Sequence, residues 1–274
     1  MNKVFSKYDF KKRLTSMVKL DLRRFFTSKF IYIIIGSCLI APILILVMTK
    51  MMEGSPLTDQ NGNPMLDEFG NPILMEGFKN VWQMIGSISG NSANMSMDIT
   101  SMCNINMVFM AITVLVSMFI SQEFRSGYAK NLFTVRSSKV DYVVSKSIVS
   151  FIGGTFMILA FFIGSLLGGV ISGTSFEMHD FNVSNIVMCL ISKIGVVLVF
   201  SSIFVLMSVV GKEKFWMSLI GGLAVSMLLF MMIPIISPLN ATIFNVILSL
   251  VGGLIFSIGL GVISNIVLKK TRLI

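Results

Sequence analysis

The sequence predicts an all-α, multi-pass membrane protein with six transmembrane helices, and three observations carry that expectation. Hydrophobic residues make up 54% of the 274 residues and charged residues only 13%, whereas soluble domains are about 25% charged. The apolar residues gather into six long runs, each close to the roughly 20 residues that cross a bilayer. The basic residues collect on one side of the runs, the acidic residues on the other. The mean hydropathy of +0.86 agrees. The whole chain, residues 1–274, reads as a single transmembrane domain.

Residues 1–29 are strongly basic. Within 14–28, Met17, Val18, Leu20, Leu22, Phe25 and Phe26 alternate with Lys19, Asp21, Arg23 and Arg24. Positions 18, 22, 25 and 26 follow helical spacing and Met17 widens the face. This predicts an amphipathic helix lying in the inner membrane interface, with a soluble continuation of the first span as the alternative. The first apolar run, 30–48, follows that basic segment and lacks an A-x-A-like site after it. It is read as a retained span rather than a cleaved signal.

The longest polar stretch, 49–104, follows as a large extracytoplasmic loop. It contains a tandem similarity, Asn61-Gly-Asn-Pro-Met-Leu-Asp-Glu68 and Phe69-Gly-Asn-Pro-Ile-Leu-Met-Glu76. Gly-Asn-Pro favours turns, because Gly and Asn tolerate positive φ and Pro fixes φ. Two such turns predict a small hairpin-like cap. The acidic spacing is not that of an EF-hand, which argues against calcium. Residues 90–107, rich in Ser, Asn and Met, are expected along the membrane surface.

The other five spans are expected at 105–120, 147–171, 186–210, 215–236 and 245–268. Glycine pairs at 153–154, 168–169, 221–222 and 252–253 lie inside these runs, where small residues allow helices to approach closely. Pro42, Pro234 and Pro238 are expected to kink or end spans one and five.

An even number of spans puts both termini on one side, and the positive-inside rule makes that side cytoplasmic. Lys3, Lys7, Lys11, Lys12, Arg13, Lys19, Arg23, Arg24 and Lys29 precede the first span. Arg125, Lys130, Arg136, Lys139 and Lys146 lie between spans two and three, Lys212 and Lys214 between four and five, and Lys269, Lys270 and Arg272 after six. Only Lys50, Lys79 and Lys193 of the 22 basic residues remain. Glu53, Asp59, Asp67, Glu68, Glu76, Asp98, Glu177 and Asp180 fall on the other side. The net charge of +9 is thereby explained by inner-leaflet lipid, without nucleic acid.

Catalytic classes find little support. The three cysteines form no CxxC pair and His179 is the one histidine, so neither a metal centre nor a redox or disulfide framework is expected. There is no Walker A motif, and the chain is not expected to hydrolyse ATP itself. No acidic residue lies mid-span, which argues against ion-coupled secondary transport. Lys193 is the one charge within an apolar run. Either the fourth span begins near Ser192 and Lys193 snorkels to the outer interface, the preferred reading, or it has a substrate or gating role.

The connection 121–146 is the most informative stretch: Glu123 at the membrane exit, Gly127 four residues later, a short helical segment, then Lys139 and Lys146. This pattern resembles that of ABC-2 type transporter permeases. Lys130-Asn131 looks like the version in the bacitracin and lantibiotic-immunity branch. Lys139 stands where Arg is more usual in the family, and Arg136 where many members have Pro. The resemblance implies a permease subunit of an exporter in the cell membrane, most simply a bacterial plasma membrane. It would work with two cytoplasmic ABC ATPase subunits, which bind ATP and Mg, and with a second permease, identical or paralogous. This chain itself would carry no cofactor. The implied cargo is amphipathic or hydrophobic: an antimicrobial peptide, as in peptide resistance, a lipid-like molecule or a drug. Residues 122–146 would form the coupling region and 125–133 the coupling helix. Leu132 and Phe133 would insert as apolar anchors and Arg125 and Lys130 would contact the ATPase rim. The competing classes are an integral membrane enzyme and a membrane partner or sensor that does not transport.

Overall fold

The computed structural model describes residues 4–58, 63–66, 69–75, 77–87, 103–135, 139–178 and 181–270. Lys3, Asp59, Asp67, Glu68, Glu76, Asp98, Arg136, His179, Asp180 and Arg272, and most of 90–107, lie outside the described residues. In chain order the helices are α1 (Val4–Thr27), α2 (Lys29–Met52), α3 (Met107–Arg125), α4 (Tyr128–Val135), α5 (Lys139–Ser172), α6 (Val183–Gly211), α7 (Phe215–Phe230), α8 (Ile233–Ile236) and α9 (Ile243–Lys270). A 3-10 turn, Val81–Met84, precedes α3.

Five helices, α2, α3, α5, α6 and α9, are long and apolar enough to cross a membrane. The expected span 215–236 is not one helix. It divides into α7, 16 residues and about 24 Å long, and the short α8. Pro234 sits in the first turn of α8, where a missing N–H does no harm, so the chain breaks and restarts there. The pair nonetheless runs the length of α6. Ser218 meets Ser208 hydroxyl to hydroxyl at 2.7 Å. Ser237, after α8, accepts at its carbonyl from Cys189, roughly 28 Å further along α6 at 1.5 Å per residue.

Packing follows membrane logic. On α7 the buried positions are Ser218, Gly222 and Ser226, while Trp216, Ile220, Met227 and Leu228 face outward. On α9 they are Ser249, Gly253, Ser264 and Leu268, with Ile, Val and Phe exposed. Small residues let helices touch and apolar residues face lipid. The glycine pairs serve this packing. A Cβ at Gly153 would stand 2.5 Å from the Phe25 ring, and one at Gly253 would stand 2.7 Å from the Gly195 carbonyl oxygen.

The N-terminal helix differs from its expected orientation. Its buried stripe is Met17, Asp21 and Phe25, one turn apart, whereas Leu20 and Phe26 are exposed. Asp21 therefore faces the bundle rather than water. One extended residue, Ser28, separates α1 from α2.

The loop after α2 is not a hairpin but a closed ring of three segments. Leu57 N–H donates to the Ile73 carbonyl at 2.8 Å, Ile73 N–H to Met65 at 2.8 Å, and Met65 N–H to Leu57 at 2.7 Å. The bridges Thr58–Pro64, Leu66–Pro72 and Pro56–Leu74 repeat the same offset three times. A third copy of the eight-residue unit, Glu53-Gly-Ser-Pro-Leu-Thr-Asp-Gln60, completes the pattern. Gly54 and Gly70 hold φ of +81° and +84° at its corners. Below the ring, residues 77–87 fold back onto the bundle: Val81 N–H donates to Ser175 O and Leu239 N–H to Ser87 O. Trp82, Ile85, Phe181, Ile186, Cys189, Leu239 and Ala241 form a separate small core there.

Candidate functional site

The opposite end of the bundle, called inner after its basic residues, holds a buried charge cluster. Asp21 and Arg24 lie one turn apart on α1, Glu123 ends α3, and Tyr142, Ser145 and Lys146 share a face of α5. At 34 residues, α5 is about 51 Å long, against a hydrocarbon core of roughly 30 Å. Its first turns therefore have length to spare beyond the core, and the cluster sits there.

Lys146 Nζ donates to Asp21 Oδ1 at 2.7 Å and to Glu123 Oε1 at 2.5 Å. Arg24 Nη1 donates to Glu123 Oε1 at 2.7 Å, Tyr142 OH to Glu123 Oε2 at 3.0 Å, and Ser145 Oγ to Asp21 Oδ2 at 2.5 Å. Asp21, Glu123 and Lys146 have no exposed surface. Lys146 also stands 4.6 Å from the Phe119 ring centroid and 5.1 Å from that of Tyr142. Two carboxylates and two cations make the set neutral, and every carboxylate oxygen has a donor. That is the condition under which buried charges are tolerated. Beside it, Arg13 Nε lies 3.2 Å from Asp141 Oδ2, an ion pair without hydrogen-bond geometry.

The short helix α4 leans on this cluster. Gly127, at φ +71°, turns the chain sharply between α3 and α4 with open space around it. The Arg24 guanidinium lies 3.9 Å from the Tyr128 ring centroid, and burial raises the Tyr128 phenol above its ordinary pKa. The Phe133 ring meets Tyr142 at 5.1 Å. Leu132 and Phe133 are thus half-buried against the chain's own core. The expected apolar anchors therefore pack in part against α5 of their own chain. Their period matches the hydrophobic side of α4, and that side faces inward. Arg125, Ser126, Lys130 and Asn131 are the exposed residues of 125–133. Lys139 Nζ donates to the Leu268 carbonyl at 2.7 Å, tying the start of α5 to the end of α9.

A cavity of about 260 Å³ opens beside Arg24, between Ser28, Ile31, Leu115 and Phe119. A shallow groove of about 970 Å³ runs from Arg125 to Lys214, Trp216 and Ile220. Among the described residues no three His, Cys, Asp or Glu side chains converge as a metal site.

Lys193 does not reach the protein surface. It lies three turns inside α6, fully buried, and donates to Asn106 Oδ1 at 2.8 Å and Ser237 Oγ at 3.3 Å. Helix α6 begins at Val183, earlier than the snorkelling reading requires, so the ammonium is held by neutral oxygens inside the protein.

Sequence reasoning found Glu123 and Lys146 but missed Asp21, Arg24, Tyr142 and Ser145 as their partners. The signal was present: Met17, Asp21 and Phe25 form one stripe at i, i+4, i+8, and Tyr142 and Lys146 are four apart.

No curated protein matches the chain, and no solved structure does. A family model described as ABC-2 family transporter protein matches residues 22–229, a stretch that includes Glu123, α4 and Lys146. This multi-pass membrane chain belongs to the ABC-2 transporter family.

Proposed function

We propose that the chain is the permease subunit of an ABC exporter, driven by separate ATPase subunits that dock on α4. In this reading the chain crosses the membrane six times, with α7 and α8 together as the fifth crossing and both termini cytoplasmic. Its partner in the membrane is a second permease, and its cargo is amphipathic or hydrophobic.

The observation that carries the proposal is the neutral charge cluster directly behind α4. A coupling element must pass a push to the spans without dissipating it. Through Tyr128 on Arg24 and Phe133 on Tyr142, α4 touches α1 and α5 at once. Lys146 and Glu123 bind those two helices to α3. Displacement of α4 therefore moves three helices as one body. Gly127 supplies the corner, and Lys139 extends the link to α9. The ATPase contacts fall to Arg125, at the end of α3, and to Lys130 and Asn131 on the exposed side of α4. Leu132 and Phe133 act from behind, as the seat of the lever.

The test is copurification with the ATPase subunit together with transport and ATP hydrolysis. Charge reversal at Arg125 and Lys130 should weaken the association in a salt-dependent way. Glu123→Gln should preserve binding but uncouple hydrolysis from transport. Normal binding and normal transport in the Arg125→Glu/Lys130→Glu variant would remove α4 from the coupling role.

A further inference from the structure

The cavity of about 260 Å³ beside Arg24 is walled by the joint between α1 and α2 and by the facing side of α3. Its polar and apolar parts are separated by their order along the helices. On α3, Leu115, Met118 and Gln122 follow one another at single turns toward the inner end. On the other wall Arg24 and Ser28 precede Phe30 and Ile31. The polar part therefore lies at the inner end and the apolar part deeper. The site is level with the membrane boundary. Helix α2 is long and apolar enough to cross a bilayer and starts at Lys29. Tyr32 is exposed on its first turn, at the level where aromatic side chains meet lipid headgroups.

Donors dominate the polar part. A guanidinium carries five N–H groups; Arg24 directs Nη1 to Glu123, and its side chain remains 34% exposed. The Ser28 hydroxyl caps nothing on α2. Neither it nor the Gln122 amide makes a side-chain hydrogen bond among the described residues. No carboxylate lines the cavity among the described residues, and the stretch 22–52 contains none. Arg23 and Lys29 flank the joint in sequence, exposed and without an ion pair among the described residues. Glu123, the nearest acidic group, already accepts from Arg24, Lys146 and Tyr142. A cationic ligand is repelled from such a mouth. A wholly apolar ligand leaves the donors unpaired, and water alone leaves the apolar wall wet. An anion joined to a hydrocarbon chain satisfies both parts.

We infer that this cavity binds one anionic phospholipid from the leaflet at the inner end, with its phosphate at Arg24, Ser28 and Gln122 and an acyl chain against Phe30, Leu115 and Phe119. The lipid is a resident ligand, not cargo. It ties the α1–α2 joint, a single extended residue, to the turn of α3 that also carries Glu123. The charge cluster thereby answers to the lipid composition around it. The inference needs neither the ATPase subunits nor the exporter reading.

The experiment uses the full chain in nanodiscs and reads tryptophan quenching by lipids brominated on their acyl chains. Trp216→Phe removes the exposed native indole, Trp82 stays buried at the opposite end as a constant background, and Phe30→Trp reports on the cavity. Brominated phosphatidylglycerol should be favoured there over brominated phosphatidylcholine by about fivefold. At Leu254→Trp, exposed on α9, the two lipids should quench alike. Ser28→Asp and Gln122→Glu each place a carboxylate where the phosphate binds and should bring the preference below about twofold. Asp is a favoured N-cap, so the first of these keeps α2 intact, and both positions lie outside the charge cluster. Arg24→Lys keeps a cation on Glu123 without the planar fork and should reduce the preference by about half. Lys269→Gln/Lys270→Gln should leave it unchanged, which separates a site from the general attraction of a basic surface. Equal quenching by the two lipids at Phe30→Trp, a preference retained in both carboxylate variants, or the same loss in the Lys269/Lys270 variant would overturn the inference. So would relief of quenching by soluble glycerol 3-phosphate, which would assign the cavity to a free phosphate ester. Absence of quenching by either lipid would overturn it too, by placing the cavity outside the bilayer.

Discussion

The two ends of the bundle bury lysine by opposite means. At the inner end Lys146 sits between Asp21 and Glu123, with Arg24 as second cation, and the set is neutral. At the outer end Lys193, among the described residues, reaches an amide and a hydroxyl oxygen. The first arrangement locks helices together, because removing any member leaves charge without a partner. The second is a local brace between α6, the start of α3 and the end of α8. One end is therefore cross-linked over three helices by ion pairs, and the other by hydrogen bonds to neutral groups.

The largest expected effect tests the inner lock. Lys146→Met leaves two buried carboxylates to share Arg24 alone and should cost about 3–5 kcal/mol, read from denaturant unfolding in detergent. An unfolding midpoint like the wild type would mean that the cluster is not closed in the working protein. Asp21→Asn combined with Lys146→Met should restore part of the loss, with a coupling of about 1–3 kcal/mol between the two sites; strict additivity would show that the pair does not interact.

Lys193→Met should cost no more than about 1–2 kcal/mol, since it removes hydrogen bonds to neutral partners. A loss as large as that of Lys146→Met would erase the contrast and demand a charged partner for Lys193. The smallest effect belongs to the ring. Gly70→Ala meets no atom but forces a Cβ onto a residue at φ +84°, a strain of about 1 kcal/mol. It should speed hydrogen exchange at Met65 and Ile73 and leave the bundle's unfolding midpoint unchanged.

Much of this was legible in the sequence. The apolar runs at 30–48, 105–120, 147–171, 186–210 and 245–268 correspond to helices, because a span must satisfy its backbone internally and has a fixed length. The break at Met231–Met232 was not, since Pro234 signals a kink or an end but not which. Asp21 was read as part of a wet face because a carboxylate among lysines and arginines usually is. Its partners, Ser145 and Lys146, lie more than 120 residues away, beyond the reach of local periodicity. Leu132 and Phe133 carried the right apolar signal, yet periodicity alone does not say whether a face seeks its own chain or another. The third copy of the outer repeat is less legible because Ser55 and Thr58 stand where both other copies have Asn and Leu.

The separation of 125 residues between Asp21 and Lys146 also sets an order of events during synthesis. At 5–20 residues per second, the ribosome adds the lysine on the order of ten seconds after the aspartate. Until then Asp21 has no ammonium to meet and must remain hydrated. A chain halted before residue 146 can already pair Arg24 with Glu123 of α3, but it leaves Asp21 without its ammonium until α5 arrives.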